Sequence, residues 1–206
     1  MVAVIDYGVG NLFSLRCSLK KLGADVVVTG DRAEIESADR VILPGVGAFR
    51  DARRKLRDTG LDKVVCALAA QGKPMLGICL GMQLLFEKSY EFGEYDGLGL
   101  LRGSVRPLQG VVPADYKIPQ IGWNALRFRR ESSLFRHIKD GDYVYFVHSY
   151  YAADCADSLI ADCDYGVPVT AAVQKENVFG CQFHPEKSGD VGLAILRAFC
   201  FEEAAV

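Results

Sequence analysis

The 206-residue chain is 50% hydrophobic and 24% charged, the usage of an ordinary globular protein, which excludes disordered, collagen-like and coiled-coil readings. Its 24 Lys plus Arg against 26 Asp plus Glu leave a formal charge of -2, without the basic excess of a nucleic-acid binder. The longest uncharged apolar stretch, Pro74 to Phe86, is interrupted by Gly77, Gly81 and Gln83 and falls short of the ~18 residues that a membrane span needs. Neither nucleic acid nor a membrane is therefore an expected partner.

The opening residues Met1–Asp6 lack the basic start, long apolar middle and small-residue cleavage site of a secretory signal, so the mature chain is expected to begin here. Cysteines stand at 17, 66, 79, 155, 163, 181 and 200, with no C-x-x-C pair. Neither a disulfide framework nor a thiolate zinc site is suggested; buried thiols in a reducing cytoplasm are.

Val2–Ile5 reads as a strand that enters the turn Asp6-Tyr-Gly-Val-Gly-Asn11. Leu12, Leu15, Leu19 and Leu22 then recur at helical spacing as far as Gly23. Val26–Val28 and Val41–Leu43 are further strands, the second entering Pro44-Gly-Val-Gly47, and helices follow over Phe49–Asp58 and Leu61–Gln71. Pro74–Ile78 reads as a strand, with a sharp turn at Cys79 and a helix over Leu80–Lys88. From Gly97 the pattern becomes β-rich, with strands near Leu100–Val105, Ala125–Arg129, Tyr143–Ser149, Ser158–Cys163, Val169–Gln174 and Phe179–Phe183. A last amphipathic helix over Asp190–Phe201 turns Leu193, Ala194, Ile195, Leu196 and Phe199 toward the sheet. These elements predict a single α/β domain over residues 1–206, with a central mixed, mostly parallel sheet flanked by helices; the antiparallel strands come from the second half.

Gly77-Ile-Cys-Leu-Gly81 follows an apolar strand and opens a helix, the setting in which G-x-nucleophile-x-G forms a strained elbow. Glycine is needed on both sides because side chains would crowd the turn, and the helix start favours a thiolate. The plain alternative is a core cysteine at a glycine-rich strand end. A nucleophile needs a base, and the histidines are His137, His148 and His184. His137 lies in an amphipathic turn, as a solvated or capping residue would. His184 ends a strand and begins His184-Pro-Glu186, where the proline is expected to hold the chain extended so that Glu186 reaches and orients the ring. The alternative there is a surface turn. Gly8-Val-Gly10 lacks the third glycine of a dinucleotide fingerprint, with Phe13 in its place, so NAD is not expected. Arg53-Arg-Lys55 with Arg57, interleaved with acids, reads as a solvated helix face.

Gly77-Ile-Cys-Leu-Gly-Met-Gln83 with Phe183-His-Pro-Glu186, in this order and about a hundred residues apart, resembles the class I (triad-type) glutamine amidotransferases. Asp6–Asn11, Leu43-Pro-Gly-Val-Gly-Ala-Phe49, Gly122-Trp-Asn124, Phe146–Tyr150 and His184–Ser188 narrow the resemblance to the glutaminase-subunit family of imidazole glycerol phosphate synthases, over essentially the whole chain. One departure is Gln120, where that family commonly has His.

The resemblance implies a flavodoxin-like fold and hydrolysis of L-glutamine to glutamate and ammonia, with Cys79 as nucleophile, His184 as base and Glu186 orienting it, and no metal or organic cofactor. It places the oxyanion hole at the N–H of Leu80 and in the Gly45–Val46–Gly47 turn, and substrate contacts at Gln83, His148, Ser149 and Tyr150. It puts Asn11, Trp123 and Lys187 at the interface with a (β/α)8-barrel cyclase in a heterodimer. Two other readings share these motifs: a paralogous subunit feeding ammonia to another synthase, and a non-catalytic regulatory module on the same fold.

Overall fold

The computed structural model describes residues 1–202. In its first half the chain runs β1 (Val2–Ile5), α1 (Leu12–Lys21), β2 (Val26–Thr29), α2 (Arg32–Ser37), β3 (Arg40–Leu43), α3 (Phe49–Asp58), α4 (Leu61–Ala70), β4 (Met75–Ile78) and α5 (Leu80–Leu84). It continues through β5 (Phe86–Ser89), β6 (Tyr95–Asp96), β7 (Leu101–Pro107), β8 (Gln120–Phe128), β9 (Tyr143–His148) and β10 (Tyr150–Ala153). It closes with β11 (Leu159–Asp164), β12 (Pro168–Lys175), β13 (Val178–Cys181) and α6 (Gly189–Phe201).

The main sheet has the order β2-β1-β3-β4-β13-β12-β11-β8-β9. Its pairings are parallel from β2 to β13 and antiparallel from there to β9. Both faces of the parallel half are covered, which is why its strands are apolar throughout. Val2 and Val4 pack with Leu15 and Leu19 of α1 and Ile195, Leu196 and Phe199 of α6. Ala3 and Ile5, pointing the other way, pack with Phe49 and Leu56 of α3 and Val65 and Leu68 of α4. The antiparallel half returns on the parallel half: the His184 N–H, just past β13, donates to the Tyr145 carbonyl of β9 at 3.0 Å. Parallel strands end on one edge, so the turns after β1, β3, β4 and β13 all open there.

Five features differ from the sequence reading. The helix expected over Leu80–Lys88 stops at Leu84, because Phe86–Ser89 pairs with β7 and β6 instead. Tertiary pairing overrides the helical propensity of that Leu-Phe-Glu-Lys run. A second sheet, β10-β7-β5-β6, takes up strands that were expected to extend the first. Helix α2 was not anticipated, although its signal is present: Asp31 caps it by accepting from the Glu34 N–H at 3.0 Å. Strand β8 begins at Gln120, five residues earlier than its apolar content suggests, and Leu193 and Ala194 of α6 are only half-buried. Among the described residues no helix is long and apolar enough to cross a membrane.

The turn after β4 depends on close backbone approach. A Cβ on Gly81 would lie 1.8 Å from the carbonyl oxygen of Leu43, whereas one on Gly47 would meet nothing within 4 Å and suffer only from its φ of +91°. Gly81→Ala is therefore expected to cost about 3 kcal/mol, against about 1–2 kcal/mol for Gly47→Ala. Urea unfolding of both variants checks the ranking, and equal losses would contradict this account of the turn.

Candidate active site

The elbow is built from the β4–α5 junction. Cys79 has φ 54° and ψ -112°, outside the wells open to a side-chain-bearing residue, a strain of about 1–3 kcal/mol. It is held there from both sides: the Cys79 N–H donates to Cys181 O at 2.7 Å, and its carbonyl accepts from the Gln83 N–H at 3.1 Å. Gly77, whose Cβ would lie 2.7 Å from the Met82 backbone, and Gly81 let the helix start fold over the strand end. Leu80 opens α5, so its N–H has no acceptor within the helix.

His184 lies at the end of the β13 segment with Nδ1 2.8 Å from Glu186 Oε1, both side chains almost wholly buried. The route differs from the extended chain expected of His-Pro-Glu. Pro185–Lys187 forms one 3-10 turn, with the proline at its first position, and that turn swings Glu186 back under the ring. Ser188 locks the turn, its hydroxyl donating to His184 O at 2.7 Å and accepting from the Tyr145 N–H at 3.0 Å. Burial alone draws the His184 imidazole down, but hydrogen bonds to Cys79 and Glu186, with their charges, outweigh it and hold the ring at about 9. The ring therefore keeps its proton at neutral pH, next to the sulfur.

Cys79, Leu80, His184 and Gln83 face one cavity of 520 Å³. Val46 and Gly47 line it on one side, His148, Ser149 and Tyr150 on another, and Lys187 reaches it too. Gly45 lies behind the wall, where its Cβ would sit 2.8 Å from the Gly81 nitrogen. Asn11 and Trp123 do not line the cavity. Asn11 heads α1 without capping it, and Trp123, 52% exposed, stacks edge-on against Tyr145, whose ring also lies under the Lys187 ammonium. Gln120 is fully buried, its amide donating to Asn124 Oδ1 at 2.9 Å. His137 meets Glu202 at 2.8 Å, away from this cavity.

These contacts narrow what the pocket offers a ligand. The Tyr150 carbonyl is already occupied by Gln83 Nε2 at 2.9 Å and His148 Nδ1 at 2.8 Å. Gln83 has committed both amide protons, the second to Gln182 Oε1 at 3.0 Å, so only its Oε1 is left for a ligand. His148 is held down at about 4, by burial first and then by the neighbouring His184, so it is a neutral wall of the pocket.

Several residues here have no role legible in the sequence. The Tyr7 hydroxyl donates to Pro44 O at 2.8 Å and fixes one end of the glycine turn, while Glu91 accepts from the Phe49 N–H at the other. Glu91 is also the acidic side chain of the cavity lining, and burial pushes its carboxyl up. Gln182, fully buried, donates from Nε2 to Cys79 Sγ at 3.7 Å. Gln182 lies just past β13, two residues before the histidine, and the sequence assigns it no role. Burial raises thiols enclosed elsewhere in the core: Cys163 to about 11, Cys200 to about 12, and Cys181 well above the usual thiol range.

The chain belongs to the class I glutamine amidotransferase family, whose profile matches residues 3–202. It is 52% identical over 200 residues to the imidazole glycerol phosphate synthase subunit HisH of Bacillus cereus, covering 97% of this chain and 93% of that one. To the HisH subunit of Geobacillus thermodenitrificans it is 50% identical over 202 residues, covering 97% and 94%. Within the class it is thus a member of the HisH subunit family. Among solved structures, PurLQS from Thermotoga maritima superposes with a TM-score of 0.72 at 20% identity, covering 96% of each chain, a likeness of fold.

The two buried histidines carry opposite linkage signs. His184 holds its proton more tightly folded than free, so its contribution is complete below pH 6.5 and lost as pH rises through about 9. His148 is the reverse, contributing above pH 6.5 and losing that as pH falls through about 4. NMR titration is expected to show one ring near 9 that drops in Cys79→Ala, and one unprotonated down to about 4. A His184 midpoint unmoved by Cys79→Ala would contradict the pairing.

Proposed function

We propose that the chain acts, over residues 1–206, as one glutamine amidotransferase domain of the cytoplasm. It hydrolyses L-glutamine and passes the ammonia to a (β/α)8-barrel cyclase that makes imidazole glycerol phosphate and aminoimidazole carboxamide ribotide in histidine biosynthesis. The observation that carries this reading is the meeting of a strained cysteine with a buried, carboxylate-held histidine at one cavity, in a member of the HisH family.

Cys79 Sγ attacks the side-chain amide carbon of glutamine. The resulting oxyanion is met by the Leu80 N–H and by the Val46 N–H of the glycine turn. His184 gives its proton to the departing nitrogen, which leaves as ammonia, and the γ-glutamyl thioester remains. His184 then takes a proton from water as it attacks the thioester, glutamate departs, and the sulfur is restored. Glu186 holds the imidazole throughout and stabilises its charged form. The α-ammonium of the substrate matches Glu91, and the α-carboxylate the backbone near Ser149.

The Gly45–Val46–Gly47 turn is the gate in this reading. It lies between two anchors, the Tyr7 bond to Pro44 and the Glu91 bond to Phe49, and Gly47 already has φ +91°. Trp123, Tyr145 and Lys187, stacked from exposed surface to cavity, form a path by which the docked cyclase is felt at the pocket.

Glutaminase activity of the chain alone, with the cyclase, and with cyclase plus acceptor ligand tests this. The expected order is weak, intermediate and full, with Cys79→Ala silent in all three while synthesis from added ammonium survives, and Cys181→Ala close to wild type. Full activity of the isolated chain would overturn the gating, and an active Cys79→Ala the nucleophile.

A further inference from the structure

We propose that Gln182 is a positioning residue that donates an N–H to Cys79 Sγ and favours the thiolate. Its amide is kept facing that way by a relay ending at a group that can only accept. Its consequence for catalysis rests on Cys79 being the nucleophile; the hydrogen bond itself does not.

The direction of the relay follows from what each atom is able to do. The Tyr150 carbonyl oxygen accepts and never donates, so the atom of Gln83 at 2.9 Å from it is the amide nitrogen. The same nitrogen lies 3.0 Å from the side chain of Gln182, and the atom facing it there must be an acceptor, Oε1. That leaves Nε2 of Gln182 to face Cys79 Sγ, at 3.7 Å. His148 reinforces the anchor, its Nδ1 donating to the same Tyr150 oxygen at 2.8 Å. Turning Gln182 over would set oxygen against sulfur and nitrogen against nitrogen, with Gln182 and Gln83 both shut away from water. Two unsatisfied buried groups at once make that state costly.

A fixed donor discriminates between the two forms of the cysteine. A thiolate accepts the N–H strongly, whereas a neutral thiol is a weak acceptor. Gln182 thus adds to the effect of the His184 charge without adding a charge of its own. It also aims Sγ, which is held by both this buried amide and the His184 imidazole.

The test is the pH dependence of Cys79 alkylation by iodoacetamide in the full chain. It is followed by mass spectrometry on the peptide that carries Cys79, so that exposed Cys17 does not contribute. Gln182→Met, close in shape and lacking a donor, is expected to raise the midpoint by about one pH unit, a tenfold loss of thiolate below it. In the complex, glutaminase kcat falls with KM little changed. A midpoint unmoved in folded Gln182→Met overturns the proposal. Should that variant not fold, the wild-type chain decides: the side-chain amide resonance of Gln182 is expected to titrate with Cys79 and to stop doing so in Cys79→Ala, and an amide indifferent to pH overturns it. If the midpoint moves as expected but Cys79→Ala still hydrolyses glutamine, the hydrogen bond stands and the catalytic reading fails.

Discussion

The carbonyl oxygen of Leu43, the last residue of β3, lies where a side chain on Gly81 would have to begin, 1.8 Å from the position of its Cβ. Without a side chain there, the first turn of α5 drops onto the end of the parallel sheet. The chain between β4 and α5 is then too short to turn in any relaxed way, and Cys79 takes up the conformation at φ 54° that aims its sulfur outward. The strain is supported by the rigid elements on either side, β4 with all four residues buried and α5 buried over its whole length. A helix start, its first backbone N–H and the Cys79 sulfur are thus delivered to one place by a single packing requirement.

The remaining parts arrive because parallel strands finish on one edge. The glycine turn follows β3, the tyrosine that clamps it follows β1, and the histidine follows β13. The antiparallel half then closes the cavity from the far side, since the strand bearing Tyr145 and His148 docks on the chain at His184. Charge is distributed unevenly across this enclosure. One histidine is driven up by a thiol and a carboxylate, and another, in the wall, is driven down by burial and by the first. Among six further cysteines, those enclosed in the core are driven away from reactivity by the same burial that shapes the fold.

Much of this was legible in the sequence where a rule of covalent geometry applied. Gly77 and Gly81 around Cys79 announced an elbow, and doubly buried strands such as Val2–Ile5 and Val41–Leu43 announced a parallel sheet. What was not legible depends on long-range contact. Nothing local in Leu85–Ser89 says that it leaves a helix for a strand; the partner that decides it, Leu101–Val105, lies a dozen residues on. Glu186 meets His184 by a route other than the extended chain expected, since the proline opens a 3-10 turn. Gln182 stands in no motif and Tyr7 has no role assigned within Asp6–Asn11; only the packed interior reveals that one touches the sulfur and the other the glycine turn.

The account stands on a covalent intermediate at one atom. Acid quenching of the chain during turnover with its cyclase, followed by digestion and mass spectrometry, traps whatever acyl group the enzyme carries. The account predicts a γ-glutamyl thioester on the peptide that contains Cys79 and on no other cysteine-bearing peptide. An adduct on Cys181, Cys66 or Cys17 in its place would contradict it.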